Sequence, residues 1–181
     1  ALKLLMASTP EQAKILAEEL KSLNDERKDM TQQGVAEAME LMESTSMKED
    51  KVLVIYLPTC HESLAGIIAG RIREKYNRPV FVLTKGEKGV KGSGRSIQQY
   101  SMFEELVKCG DLLDQYGGHP MAAGLSLPEE NVSLLRKRLN EQCNLKEEDL
   151  IPKVIIDVPM PISYISTKLV EQLSLLEPFG K

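Results

Sequence analysis

Nine consecutive residues, Lys88, Gly89, Val90, Lys91, Gly92, Ser93, Gly94, Arg95 and Ser96, combine the groups that hold a phosphate. Glycines let backbone N–H groups converge on an oxyanion, the hydroxyls of Ser93 and Ser96 add neutral donors, and Arg95 supplies a planar fork matched to phosphate oxygens. Lys85, Lys88, Lys91 and Arg95 fall within eleven residues and are opposed only by Glu87. The spacing GxxxxGK followed by Ser or Thr is absent, so hydrolysis of a nucleoside triphosphate is not implied. The plain structural alternative is a hairpin tip with solvated lysines.

A second segment runs from Tyr116, Gly117, Gly118, His119 and Pro120 to Met121, Ala122, Ala123 and Gly124. The paired glycines permit positive φ and close approach to a ligand, and Pro120 argues against a helical role for His119. His119 can donate to phosphate or stack on a base; the alternative is a turn with an exposed histidine. His61 and Arg71 flank a further candidate. They bracket the helix that follows the first strand, and a helix start after a strand is an anion site. Arg27, which breaks the apolar stripe of the first long helix, reads as an ordinary solvated side chain.

Other chemistries are disfavoured. Two histidines 58 residues apart, with no close Asp/His cluster, make no two-metal or zinc site. There is no GxSxG elbow to activate a serine. Cys60, Cys109 and Cys143 match neither a disulfide framework nor a metal knuckle and read as reduced, partly buried thiols.

The elements that must position these residues alternate. Thr9, Pro10 and Gln12 form a helix start with a capping box, and the three-four spacing of Leu16, Leu20, Leu23, Met30, Val35, Met39 and Met42 carries the helix to about Glu43, interrupted only by Gly34. That is too long for a compact domain of this size and suits a connector, with Ser44 to Asp50 as a polar linker. Val52 to Leu57 reads as a buried strand, Ser63 to Tyr76 as a helix whose Gly66 and Gly70 admit another backbone, and Val80 to Thr84 as a second strand. Gly86 to Gly94 is expected as a hairpin or tight loop leading into a short strand at Arg95 to Ile97. Ser101 and Glu104 suggest a capping box before a helix ending near Cys109 and Gly110. A short helical stretch, Asp111 to Tyr116, should break at Gly117 and Gly118. Ala122 to Leu127 reads as a strand, and Pro128 opens an amphipathic helix through Val132, Leu135, Leu139 and Cys143. Leu145 to Pro152 is a charged linker, Lys153 to Val158 a strand and Thr167 to Leu176 a helix.

The expected fold class is therefore α/β, a mixed β-sheet flanked by helices. Composition agrees with a folded chain: 181 residues, 42% hydrophobic and 28% charged, with no apolar run near the roughly 20 residues a bilayer requires. Membrane association is not expected, and with no signal peptide the chain reads as cytoplasmic. A net charge of -4 argues against unselective nucleic-acid binding, so any such contact must be local.

The run His61, Glu62, Ser63, Leu64, Ala65, Gly66, Ile67, Ile68, Ala69, Gly70, Arg71 resembles the RecJ family's His-x-x-x-x-Gly-Ile-x-Ala-x-Arg helix, and Lys75 to Pro79 its exit. Gly92 to Ser96 resembles the family's Gly-Ser-x-Arg-Ser motif. Gly117, Gly118, His119 through Ala122, Ala123, Gly124 is similar to its Gly-Gly-His-x-x-Ala-Ala-Gly motif. Glu62, Ser63 and Leu64 depart from the Pro-Gly-Val of many members. Leu23, Asn24, Glu26 and Arg27 look like the family's connector helix, and Leu176 to Gly180 like the opening of its oligonucleotide-binding domain.

The resemblance implies a DHHA1-like domain at 47–146, a connector at 1–46 and the start of an OB-like domain at 147–181. It further implies the substrate-binding portion of a 5′→3′ exonuclease on single-stranded DNA, acting in recombination and repair. Ser93, Arg95, Ser96, Gly117, Gly118, His119, Arg71, Lys91 and His61 would contact the phosphodiester backbone. Mn2+ or Mg2+ would be held by a DHH domain outside this chain, with no metal, cofactor or catalytic group within it. Two alternatives are an oligoribonuclease or 3′-phosphoadenosine phosphatase relative, and a non-catalytic nucleic-acid-binding module.

Overall fold

The computed structural model describes residues 1–156 and 158–179, and the chain divides into two units, Ala1–Ile151 and Pro152–Lys181. In the first unit a short helix α1 (Leu2–Leu5) precedes α2 (Pro10–Ser44). The Thr9 side chain accepts the Gln12 N–H at 3.2 Å, but the Gln12 side chain accepts from Ser8 rather than Thr9, so the expected capping box is one residue out of register. Gly34 does not interrupt α2. It is a packing position, where an added Cβ would meet Ile68 Cδ1 at 2.5 Å, and burial in α2 begins only at Thr31 and continues through Ala38 and Met42.

The sheet follows: β1 (Leu53–Tyr56), α3 (Glu62–Tyr76), β2 (Val80–Lys85), β3 (Val90–Arg95), α4 (Met102–Val107), β4 (Gln115–His119), β5 (Ala122–Leu127) and α5 (Val132–Glu141). Strand order is β1-β2-β3-β5-β4; β1 and β2 are parallel across the α3 crossover, and the remaining pairs are antiparallel. This is the mixed sheet flanked by helices that the apolar runs imply. Side chains alternate across a sheet, so one face buries Phe81, Leu83, Val90, Ala123, Leu125 and Leu127 against α4 and α5. The other buries Leu53, Ile55, Val80 and Val82 against α3 and the second half of α2.

Loop chemistry ties these layers together. Asn77 ends α3 in the left-handed conformation at φ 49°, and its side chain donates to Leu150 O at 2.9 Å. Arg78 donates to Lys48 O and Asp50 O, and the Asn140 carboxamide pairs with both backbone groups of Val52 beside β1.

Several expectations fail locally. The hairpin expected at Gly86 to Gly94 forms, with β2 and β3 antiparallel and the turn confined to Gly86–Gly89, but its second strand begins at Val90 rather than Arg95 and lies in the middle of the sheet. Its glycines have a steric reason. Added Cβ atoms would come within 2.3 Å of Leu83 Cδ2 at Gly92 and of Met102 Sδ at Gly94, so both leave room for core side chains. Asp111 to Tyr116 is not helical beyond a 3-10 turn at Gly110–Leu112, because Gln115 onward pairs with β5. Ser101 precedes α4 without a side-chain cap, and its buried hydroxyl has no partner among the described residues.

The second unit contains a 3-10 turn at Ile162–Tyr164 and α6 (Thr167–Ser174), capped by Ser166 accepting the Leu169 N–H at 3.2 Å. The strand expected over Lys153 to Val158 is absent among the described residues, with Asp157 outside them. A strand exists only where a neighbour completes its ladder, and none is paired there. The expected opening at Leu176 to Gly180 is described only as far as Phe179. No helix among the described residues is long and apolar enough to cross a membrane.

Candidate nucleic-acid interface

Registration of β3, β5 and β4 creates an open polar surface. The cross-strand rows are Lys91–Ser126–Gln115, Ser93–Gly124–Gly117 and Arg95–Ala122–His119. Residues directly opposite share a face, so all nine positions lie opposite the Phe81/Leu125/Leu127 core. None of the nine carries an apolar side chain larger than alanine. α3 covers the neighbouring β1 and β2 on this face, and its first turns form one wall of a groove of about 570 Å³ lined by Glu62, Ser63, Ala65, Thr84, Lys91, Ser93, Gln115, Gly117, Gly124 and Ser126 among others. Gly117 and Gly124 leave the floor bare: an added Cβ would meet nothing within 4 Å at Gly117 and only Gly92 O, at 3.9 Å, at Gly124.

The charged and hydroxyl groups are arranged along β3. Arg95 Nη1 donates to Ser93 Oγ at 3.3 Å and to Gly94 O at 2.7 Å, and the guanidinium is half-buried against α3 rather than in the groove wall. Gly66 makes that packing possible, since a Cβ there would stand 2.9 Å from both Arg95 Nη2 and Ser93 Oγ. The close approach at Gly66 is thus by side chains, not backbone, and Gly70 faces open space. Lys91 Nζ pairs with Glu62 Oε2 at 2.8 Å across the groove mouth, both side chains half exposed. The ammonium holds the Glu62 carboxyl below its usual range, and the carboxylate raises Lys91 in turn. His119 is exposed at the end of the β4–β5 hairpin, where its Nδ1 accepts the Met121 N–H at 3.3 Å.

The structure therefore brings Lys91, Ser93, Arg95, Gly117 and His119 to one face. It does not bring the rest there. Ser96 is 1% exposed and its hydroxyl donates to Tyr100 O at 2.6 Å, turned into the core. Gly118 serves the backbone: at φ 148° its Cβ position lies 2.3 Å from Ala122 O, so only glycine fits. The backbone N–H convergence expected at Gly92 and Gly94 is also absent, because a central strand spends those groups on its two neighbours. His61 is the N-cap of α3; its Nδ1 accepts the Ser63 N–H at 3.2 Å and meets Ser63 Oγ at 2.7 Å. Arg71 lies between α2 and α3, in a groove it shares with Arg27, Lys28 and Thr31. Arg27 also stands beside His61. Arg27 is exposed, as a solvated side chain would be, and the α2–α3 packing sets it in that neighbourhood. Sequence reasoning misses Thr84, Ser126 and Gln115; polar residues alternating with Leu125 and Leu127 are the available signal for Ser126.

Among the described residues no group of three or more His, Cys, Asp or Glu is placed to hold a metal ion.

Comparison with known proteins places these features. Residues 49–145 match the DHHA1 domain family. The chain is 38% identical over 184 residues to the single-stranded-DNA-specific exonuclease RecJ of Bacillus subtilis (strain 168), covering 99% of this chain and 23% of that protein. It is 34% identical to the RecJ of Escherichia coli (strain K12), over 98% of this chain and 33% of the relative. The crystal structure of Thermus thermophilus RecJ in complex with Mg2+ superposes with a TM-score of 0.84 at 30% identity, covering 99% of this chain and 28% of that one. A manganese-bound RecJ exonuclease gives 0.67 at 34% identity over 77% of this chain and 34% of its own. The chain thus spans about 23–33% of the length of these curated relatives. The motif-bearing strands and the α3 crossover fall inside the matched span, and the chain belongs to the DHHA1 domain family.

Proposed function

We propose that this chain is the strand-gripping portion of a single-stranded-DNA-specific exonuclease, and that it holds the phosphodiester backbone across the open face of β3, β5 and β4. The observation that carries this reading is the pairing of a bare floor, Gly117 and Gly124, with donors spaced along one strand, Lys91, Ser93 and Arg95, and with His119 at the rim. Strands about 4.8 Å apart make this face about 10 Å wide, which suits one nucleic-acid strand beside the α3 wall rather than a duplex. Arg95 gives a charge-assisted fork for a phosphate once its bond to Gly94 O is exchanged, and Ser93 adds a neutral donor at the same place.

On this reading the whole protein hydrolyses DNA 5′→3′ in recombination and repair in the cytoplasm. Mg2+ or Mn2+, held by a DHH domain outside this chain, would activate the attacking water. The connector at 1–46, the DHHA1-like domain at 47–146 and the start of an oligonucleotide-binding domain at 147–181 complete the organisation. The residues of this chain bind and orient; they move no proton in the reaction.

The test has two parts. The chain alone should bind a fluorescent single-stranded oligonucleotide more tightly than its duplex and leave both uncut. Joined to the DHH domain and given Mn2+, it should allow digestion of the long single strand in preference to a dinucleotide. Equal binding of duplex and single strand would refute the reading, and digestion confined to the dinucleotide would move it to the short-oligonucleotide hydrolases.

A further inference from the structure

One row of the groove runs across four strands, Thr84–Lys91–Ser126–Gln115, and every one of its side chains is polar. Thr84 is the anomaly in it. It is 0% exposed, it lies near the end of an otherwise apolar strand, and its hydroxyl has no hydrogen-bond partner among the described residues. A buried hydroxyl without a partner is destabilising, and valine would fill the same space without that cost. Beside it, Lys91 is engaged by the carboxylate of Glu62, an anion already seated on the ammonium at 2.8 Å.

We propose that this row is a second phosphate subsite, in which a phosphodiester of the bound strand takes the place of the Glu62 carboxylate on Lys91 and accepts from the Thr84 hydroxyl. The inference rests on the proposed function and extends it by one feature, the course of the strand along β3. Residues 91, 93 and 95 alternate on one face at about 6.8 Å, close to the repeat of consecutive phosphates in an extended single strand. One phosphate therefore stands at Arg95 and Ser93 and a following one at Lys91 and Thr84, with Ser126 and Gln115 beside the attached nucleoside. Glu62 is the exchangeable occupant: it covers the subsite when no strand is present and weakens it when one arrives. The carboxylate is swapped for a phosphate, and no bond is made or broken.

The experiment is anisotropy titration of the whole chain with a 5′-phosphorylated hexathymidylate over a range of KCl, with thymidine 5′-monophosphate measured by competition as the single-phosphate ligand. Glu62→Gln should tighten binding of the hexathymidylate several-fold. Lys91→Gln should weaken it by about tenfold and lower the salt slope by roughly 0.7, the value of one phosphate on a single strand. Thr84→Val should weaken it while melting at the same or a higher temperature, and Thr84→Ser, which keeps the hydroxyl, should bind as the parent does. The affinity of the mononucleotide, which has no second phosphate, should move little in all four. Unchanged affinity for the hexathymidylate in Glu62→Gln, Lys91→Gln and Thr84→Val, with Arg95→Ala still abolishing binding, would overturn the subsite and leave the proposed function standing. Parent-like binding of both ligands by Arg95→Ala would overturn the proposed function and the subsite together.

Discussion

Replacing Gly66 by alanine separates the stability of this domain from its grip on phosphate. Gly66 sits in the second turn of α3, where alanine is favoured over glycine by roughly 1 kcal/mol. The new methyl would lie 2.9 Å from Arg95 Nη2 and 2.9 Å from Ser93 Oγ, against ordinary contact at 3.4 Å or more. Both groups must withdraw by about half an ångström, taking a hydrogen bond of ~2.9 Å to the edge of its useful range. Both are side-chain ends, so the folded state yields cheaply, and the melting temperature should hold or rise by up to roughly 2–4 °C for a domain of this size. Loss of one charge-assisted bond costs about 1.5–3 kcal/mol, which weakens binding by roughly 10- to 100-fold. Gly70→Ala is the control on the same helix: nothing lies within 4 Å of its Cβ position, so it should gain the same stability and leave affinity unchanged. Circular-dichroism melts paired with anisotropy against a 5′-phosphorylated single strand read both quantities. If Gly66→Ala binds as tightly as the parent, then Ser93 and Arg95 do not hold the phosphate.

The same contrast applies to the strands. Gly124→Ala has only Gly92 O at 3.9 Å and should fold normally while losing affinity; Gly94→Ala, aimed at Met102 and Phe81, should lose about 1–3 kcal/mol of stability in urea titrations. Asn140→Ala removes both bonds to the Val52 backbone, at 3.0 and 2.9 Å, and should lower the urea-derived stability by about 1–3 kcal/mol with no effect on binding beyond that. Burial raises the thiols of Cys60, Cys109 and Cys143 above the ordinary value of 9.0. Their folded values lie above the unfolded ones, so the associated stability is complete below about pH 9 and is lost as pH rises through the folded values. The native chain should therefore resist iodoacetamide at pH 8, where few thiolates form, and its urea midpoint should fall above pH 9; fast alkylation of native Cys109 would contradict the burial.

Much of the architecture is legible in the sequence because it is local. The periodicity of Leu16 through Met42, the apolar runs at Val52 and Val80, and the helix between them each carry their own signal, and the structure places α2, β1, α3 and β2 there. Gly-rich segments carry a weaker one. Glycine at 92 and 94 suggests a loop converging on an oxyanion, yet those positions are glycine because Leu83, Phe81 and Met102 occupy the space a side chain would need. Such neighbours come from distant parts of the chain, and composition cannot reveal them.

The candidate site divides in the same way. Residue type alone singles out Lys91, Ser93, Arg95 and His119 as groups able to meet a phosphate, because charge and hydroxyl chemistry belong to the side chain itself. Only the tertiary structure decided that Arg95 and His119 share a row through Ala122, that Ser96 turns inward, that His61 caps a helix, and that Thr84 joins Lys91. Those outcomes depend on strand register. Because side chains alternate with a period of two, a shift of one residue sends every group to the opposite face. The sequence therefore determined which groups were available, and the pairing of β2, β3, β5 and β4 decided which of them face the groove.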